Sequence, residues 1–156
     1  MIIDATDLIL GRMATLVAKK ALEGEKVDIV NCEEAVLTGN KDQIIARYKQ
    51  RRYRGVPLQG PYFPRYPDRL VRRVVRGMLP YKKTRGREAF QRVMCHISVP
   101  EKFKDGKFET IKEVHIDKVP NLKYMKIKDI CRVLGAKIWK QFIFQEKEKE
   151  QWQELH

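Results

Sequence analysis

The sequence predicts an α/β domain built on a parallel β-sheet, and three observations lead to this fold class. A strand, a helix and a second strand follow one another between Met1 and Val30, which is typical of a right-handed βαβ unit. A further apolar run, VMCHISV at residues 93–99, suits a strand buried on both faces of a sheet. The 156-residue chain is long enough for one domain with a substantial core.

The amino-terminal elements are the most clearly patterned. MIIDAT, residues 1–6, contains β-branched residues and predicts a short strand. LGRMATLVAKKALEG, residues 10–24, places its apolar residues on one face of a helix, and Gly24 is expected to end that helix. In KVDIVNCEEAVLTGN, residues 26–40, the apolar residues Val27, Ile29 and Val30 predict the second strand.

A second helix and a long loop follow. KDQIIARYKQRR, residues 41–52, predicts a helix with Ile44, Ile45 and Tyr48 facing inward. The next segment, YRGVPLQGPYFPRYPD at positions 53–68, contains two glycines and four prolines and therefore predicts a loop. Aromatic residues run through this loop, and long loops of this kind are usually functional.

The third predicted helix begins near Asp68, which is a plausible N-cap. In RLVRRVVRGML its arginines and its apolar residues alternate with a period near 3.6, so one face is buried and one is cationic. Met78 and Leu79 are expected to pack inward, and Pro80 ends the helix. KKTRGREAF is expected to be a second basic loop that leads into a short helix over residues 88–92.

The remaining elements are predicted from weaker patterns. FETIKEVHID, residues 108–117, suggests a strand. KIKDICRVLGAKI, residues 126–138, predicts an amphipathic helix that ends at Gly135. The tail from Gln145 is expected to form a solvent-facing helix. No apolar run is long enough to span a membrane and MIIDATDLIL does not resemble a signal peptide, so we expect a soluble intracellular protein.

Cysteines and histidines give little reason to expect a chemical centre. Cys32, Cys95 and Cys131 are far apart and each lies in an apolar stretch, which favours buried thiols over a disulfide framework or a metal site. His96 and His115 also lie in apolar contexts and are expected to be satisfied core histidines.

The positive charge is confined to one part of the chain. The net charge is +13, and residues 47–92, which we call the basic segment, contain 15 Lys and Arg residues against Asp68 and Glu88 alone. The rest of the chain has 18 basic and 18 acidic residues. Arginine outnumbers lysine 12 to 3 in the basic segment, whereas lysine outnumbers arginine 16 to 2 elsewhere.

This distribution predicts a polyanionic partner. Cations packed so densely repel one another unless a counter-anion is present, and the guanidinium fork matches phosphate oxygens and stacks on bases. The cations lie on a helix face and in loops, without a helix-turn-helix or finger motif. That arrangement favours irregular, folded RNA over the DNA major groove.

Three other functions are less well supported. The first strand-to-helix turn, ATDLILGRMA, has one glycine, whereas a dinucleotide site requires Gly-x-Gly-x-x-Gly, and TGNK at residues 38–41 lacks the rest of a phosphate loop. Asp4, Asp7 and Asp28 could be imagined as a nuclease cluster, although they fit ordinary capping roles. The amphipathic C-terminal segment could bind a partner protein.

The central motif resembles one known family. VRGMLPYKKTRGREAFQRV, residues 75–93, is similar to the signature of the universal large-subunit ribosomal protein family thirteen (L-thirteen). IIDATDLILGRMATLVAKKAL resembles the opening strand, Leu-Gly-Arg turn and first helix of that family, and VDIVNCEEAVLTGNK resembles its second strand and turn. The likeness covers residues 1–100 and is closest to archaeal and eukaryotic members, while the chain from about residue 101 looks like a lineage-specific extension of a single domain, residues 1–156.

The resemblance implies a three-layer α/β/α fold with a four-stranded parallel sheet. It also implies a non-enzymatic, cytoplasmic structural constituent of the large ribosomal subunit that acts in translation and binds and stabilises ribosomal RNA during assembly, through the arginine-rich helix and loops. Its further partners are expected to be neighbouring ribosomal proteins. Because the chain lacks the corresponding motifs, we expect no cofactor, metal or small-molecule substrate. The expected RNA contacts are Arg51, Arg52, Arg54, Arg65, Arg69, Arg72, Arg73, Arg76, Lys82, Lys83, Arg85, Arg87 and Arg92.

Overall fold

The computed structural model describes residues 1–56, 58–104, 106–119 and 123–136, so the helix expected from Gln145 lies outside the described residues. In chain order, the helices and strands are β1 (Ile2–Asp4), α1 (Leu10–Glu23), β2 (Val27–Val30), β3 (Val36–Thr38), α2 (Lys41–Tyr53), α3 (Pro67–Met78), α4 (Thr84–Gln91), β4 (Val93–Cys95), β5 (Tyr124–Lys126) and α5 (Ile127–Val133).

The main sheet is parallel, as predicted, with the strand order β1-β2-β4. Ile3 pairs with Ile29, and Ile29 pairs in turn with Cys95. The strand–helix–strand order of β1, α1 and β2 confirms the predicted βαβ unit. The sheet therefore places β4 beside the amino-terminal strands, although β3 and the helices α2, α3 and α4 separate β2 from β4 in the sequence.

The expected four-stranded sheet is only partly formed. The described residues give three parallel strands, and Glu109 adds a single parallel bridge to Ile3 on the free side of β1. The Glu109 amide donates to the Ile2 carbonyl over 2.9 Å. The strand predicted over residues 108–117 is wrong, because the chain turns into short 3-10 helices at Lys112–Val114 and Ile116–Lys118. Residues 108–110 are exposed, so no buried side chain holds a longer strand there.

A second, antiparallel pair of strands is present that the sequence patterns do not indicate. β3 pairs with β5, with Leu37 opposite Met125. Helix α5 follows β5 directly, and it ends before Gly135, whose φ of +80° is the left-handed conformation that favours glycine. The predicted end of this helix at Gly135 is confirmed.

Helix α1 supplies much of the core. Six of its residues are buried on one face, and it packs against α3 and α4. Gly24 caps its end with a φ of +105°, and its amide donates to the Ala21 carbonyl over 3.2 Å. The predicted apolar face and the predicted end of this helix are both confirmed.

Three predictions at the centre of the chain are wrong in detail. Asp68 is not the N-cap of α3: the helix begins at Pro67, whose fixed φ and missing N–H suit the first helical position. Met78 does not pack inward, since 45% of it is exposed, whereas Leu79 is buried as predicted. Helix α4 begins at Thr84, so the second basic loop is shorter than expected.

The strand predicted over residues 93–99 also differs. It ends at Cys95 and is the edge of its sheet, and 44% of Met94 is exposed. β4 has a neighbouring strand on one side only, and side chains at the edge of a sheet are less completely covered than those at its centre. The apolar sequence of this strand therefore does not guarantee burial on both faces of the sheet.

Glu34 links the two sheets through ion pairs. Its carboxylate oxygens lie 2.7 Å from Lys126 Nζ and 2.7 Å from Lys128 Nζ, and Lys126 also lies 3.2 Å from Asp7. Burial alone would raise the pKa of Glu34, but the hydrogen bonds and charges of the two lysines outweigh it and hold the pKa below its usual value.

A carboxylate with a lowered folded-state pKa stabilises the protein above its unfolded pKa, and that stability is lost as the pH falls through the folded value. We therefore expect Glu34→Gln to lower the free energy of unfolding at pH 7, with a difference from wild type that shrinks as the pH falls below the ordinary glutamate value of 4.5. Urea unfolding at pH 7 and at an acidic pH measures this difference, with the exposed Glu101→Gln as control. An equal difference at both pH values would contradict the expectation.

Candidate nucleic-acid interface

Helix α3 separates cations from apolar residues as predicted. Four arginines share one helix face, because Arg72, Arg73 and Arg76 follow Arg69 by three, four and seven residues. On the opposite face Leu70, Val71 and Val75 are buried in the core. The core thus fixes the rotation of the helix and directs the arginines outward.

Aromatic rings support the guanidinium groups. The Cζ atom of Arg72 lies 4.6 Å from the ring centroid of Phe90, and that of Arg73 lies 4.8 Å from Phe63. A cation over a ring face is attracted by the ring quadrupole. The further pairs are Arg51 with Tyr48, Arg52 with Tyr53, Arg69 with Tyr66 and Arg76 with Tyr81, at 5.3–6.0 Å.

The supporting role of these rings is not visible in the sequence. In the sequence, aromatic residues alternate with arginines, and this pattern alone suggests that the rings stack on nucleic-acid bases. The structure instead shows most of these rings holding protein cations. Four of them also contact a second ring in two edge-on pairs, Tyr48 with Phe63 and Tyr81 with Phe90. The aromatic side chains therefore fix the positions of the guanidinium groups.

Positive charges lie close together in the basic segment without forming ion pairs. Burial lowers the pKa of Arg73, and the charges of Arg76 and Arg51 lower it further, so cations of α2 and α3 are close enough to interact. Within the described part of the chain, no ion pair involves a residue of the basic segment. As far as the structure describes the chain, the charge of this surface is uncompensated, and such a surface attracts an anion.

The thirteen predicted contact residues do not all have the same surroundings. Nine are exposed, and four are half-buried, namely Arg52, Arg72, Arg73 and Arg92. Arg52 Nη1 donates to the Leu134 carbonyl beyond α5, and Arg92 Nη1 donates to the Ala21 carbonyl of α1 over 3.3 Å. A cation at a helix C-terminus satisfies free carbonyls and complements the helix dipole.

Arg92 also lies apart from the arginine face of α3. It lines a shallow depression together with Asp28, Glu88 and Lys26. The mixed charges there are a poorer environment for a phosphate than the α3 face. The structure therefore gives Arg92, and in part Arg52, a structural role in addition to the predicted one.

A cavity of about 670 Å³ opens beside the arginine face, in the size range of about 300–1,000 Å³ that is typical of ligand sites. Its walls come from the end of α2, the loop over residues 54–66, the start of α3 and the residues after α5. Small and apolar residues line part of it. The rest of the lining consists of four arginines and three tyrosines, namely Arg52, Arg54, Arg65, Arg69, Tyr53, Tyr62 and Tyr66.

The acidic residues considered as a nuclease cluster have ordinary structural partners. Asp4 Oδ1 accepts hydrogen bonds from the Thr6 amide over 3.0 Å and from Asn31 Nδ2 over 3.0 Å. Asp28 Oδ1 lies 3.2 Å from His96 Nε2. Across residues 1–56, 58–104, 106–119 and 123–136, no group of three or more His, Cys, Asp or Glu side chains could hold a metal ion.

The thiols behave largely as predicted. Cys32 and Cys131 are buried, and Cys95 is half-buried. Burial raises the pKa of Cys131 to about 12. The pKa of Cys32 is also raised, mainly by a hydrogen bond with Cys95 and to a smaller extent by burial. Thiols with raised pKa values are poor nucleophiles.

Among the described helices, none has the length and apolar character needed to cross a membrane.

Comparison with known proteins gives a consistent result. The family model described as Ribosomal protein L13 matches residues 1–102. Relatives named large ribosomal subunit protein uL13 include one from Archaeoglobus fulgidus, 44% identical over 135 residues, which covers 86% of each chain. Another, from Methanococcoides burtonii, is 43% identical over 87% of this chain and 98% of its own. A third, from Natronomonas pharaonis, is 42% identical over 88% and 92%.

Proposed function

The chain belongs to the ribosomal protein L13 family, and on that premise we propose that it is a structural, non-enzymatic constituent of the large ribosomal subunit in the cytoplasm. The archaeal relatives carry that subunit in their names and align with most of the chain. Their alignments of 135–138 residues extend beyond residue 102, where the family model ends. This supports a single domain whose extension from about residue 101 is shared with archaeal members.

The protein binds ribosomal RNA through the basic segment. The observation that carries this proposal is the surface of guanidinium groups on α3, α2 and the adjoining loops, which has no ion-pair partner in the described part of the chain. A folded protein tolerates such crowding when an external anion neutralises it. Phosphate groups match the bidentate donors of arginine.

The support provided by the aromatic rings favours RNA recognition by shape. Rings that hold the guanidinium groups reduce the number of rotamers each arginine loses when it binds, which lowers the cost of ordering the interface. Because the cations follow a helix face and two loops, they suit the irregular phosphate pattern of folded RNA. Neighbouring ribosomal proteins are the further partners that this location implies.

Salt dependence tests the proposal. If six to nine of the exposed cations contact phosphates, the logarithm of the binding constant for large-subunit ribosomal RNA should fall with the logarithm of salt concentration with a slope of about −4 to −8. Filter binding or fluorescence anisotropy between 50 and 300 mM salt, about the range over which such effects are large, measures it. A flat dependence would show that phosphate contacts do not carry the binding.

A further inference from the structure

We infer that the cavity beside α3 receives one unpaired ribonucleotide of the bound RNA, an inference that rests on the proposed function. The cavity is the 670 Å³ space described above between the 54–66 loop, α3 and the residues after α5. The nucleotide base would stack on Tyr62, and its phosphate would lie among the arginines of the cavity wall. The ligand is thus a splayed-out base from a bulge or loop, rather than a base-paired helix.

The charge of the cavity favours an anionic ligand. Arg52, Arg54, Arg65 and Arg69 line it, and among the described residues no acidic side chain does. Arg52 already donates to the Leu134 carbonyl, whereas Arg54, Arg65 and Arg69 are exposed. Three exposed guanidinium groups around one cavity can bind a phosphate group and its neighbours in the RNA backbone.

Tyr62 is the ring best placed to stack on a base. Its side chain is 72% exposed, and among the described residues neither a guanidinium group nor another aromatic ring lies against it. Its hydroxyl donates to the Leu58 carbonyl over 2.7 Å, and Arg73 Nη1 donates to its carbonyl over 3.3 Å. Hydrogen bonds therefore hold Tyr62 at both ends while most of its side chain is exposed, which is the property of a stacking platform.

The loop that carries Tyr62 is closely packed. Gly55 has a φ of +98°, and a Cβ atom there would lie 2.4 Å from the Gly60 carbonyl oxygen, so the two sides of the loop approach as only glycine permits. Val56 and Gly60 form a bridge across the same loop. This packing preforms the cavity wall, so the wall does not need RNA to create it.

An RNA hairpin with one bulged 2-aminopurine, and the same hairpin fully paired, test the inference with the full-length protein. Stacking of the bulged base on Tyr62 should quench its fluorescence, and the bulged hairpin should bind more tightly than the paired one. Tyr62→Ala should abolish the quenching and weaken binding of the bulged hairpin by about ten-fold, without changing binding of the paired hairpin. Tyr62→Phe, which keeps the ring but loses the hydrogen bond to Leu58, should keep most of the quenching and bind the bulged hairpin more tightly than Tyr62→Ala.

Tyr124→Ala is the matched control, because Tyr124 is an exposed tyrosine on β5 outside the basic segment, and it should change neither measurement. Equal binding of both hairpins without a change in fluorescence would overturn the inference while leaving the proposed function intact. That is also the result expected if an acidic protein segment occupied the cavity. Failure of both hairpins to bind would overturn the proposed function and the inference together.

Discussion

Replacement of Arg51, Arg69 and Arg76 together by glutamine is expected to weaken binding to large-subunit ribosomal RNA roughly 100-fold at about 0.1 M salt and to reduce the salt slope by about 2 to 3. All three side chains are exposed and belong to α2 and α3, and Arg51 and Arg76 both lie close enough to Arg73 to lower its pKa. Glutamine keeps the helical propensity and much of the side-chain length. The loss of RNA affinity therefore measures the contribution of the three positive charges.

The control is a variant with the same change of charge elsewhere. Arg12→Gln, Lys19→Gln and Lys102→Gln remove three exposed cations outside the basic segment. If location matters, this variant should bind within about three-fold of wild type, because distant exposed charges are screened at this salt concentration. Equal weakening by the two triple variants would mean that net charge, rather than the arginine surface, determines binding.

Gly86→Ala is expected to lower the free energy of unfolding by about 3 kcal/mol, the upper end of the usual cost of overpacking. Gly86 is buried in the first turns of α4, and a Cβ atom there would lie 2.2 Å from the Pro80 carbonyl oxygen and 2.4 Å from its carbonyl carbon. These are backbone atoms, which cannot move away as a flexible side chain would. Urea unfolding at neutral pH measures the effect.

Gly77→Ala provides a control with the same chemistry. Gly77 lies on the exposed side of α3, and no atom lies within 4 Å of the position of an added Cβ. Alanine there should stabilise the protein by about 0.5 kcal/mol, because it restricts the unfolded chain. A Gly86→Ala variant as stable as wild type would contradict the close approach of α4 to Pro80.

That close approach also explains the spacing of the central motif. Pro80 follows the end of α3, and Gly86, which has no side chain, allows α4 to pack against the Pro80 backbone. In the same turn Leu79 is buried, while Tyr81 supports Arg76. The Leu-Pro and Gly-Arg parts of the motif therefore serve packing and the positioning of cations together.

The elements with local sequence patterns are the ones that can be predicted. Helix α1, from its apolar face to Gly24, depends only on spacing within its own segment, and β1 and β2 are short apolar runs beside it. The β3–β5 pair depends on partners that are distant in the sequence, such as Leu37 and Met125. No local pattern identifies such a partner, so the pairing cannot be predicted from the sequence alone.

The same distinction applies to the candidate interface. The arginine face of α3 follows from its helical period, and the confinement of charge is visible in the composition. The carbonyl partners of Arg52 and Arg92 lie 82 and 71 residues away, and the rings above Arg72 and Arg73 come from α4 and the preceding loop. The helix period places Met78 near the buried face, but α3 ends there and leaves it exposed.

Crosslinking of RNA to protein in assembled large ribosomal subunits, followed by mass spectrometry of the attached peptides, tests most directly whether the basic segment is the RNA-binding surface. We expect most crosslinked peptides to come from residues 47–92, particularly from the exposed residues Lys82, Lys83 and Tyr53. Peptides from α1, with its exposed Arg12 and Lys19, should be rare. Crosslinks spread evenly along the chain, or concentrated on α1, would contradict this account.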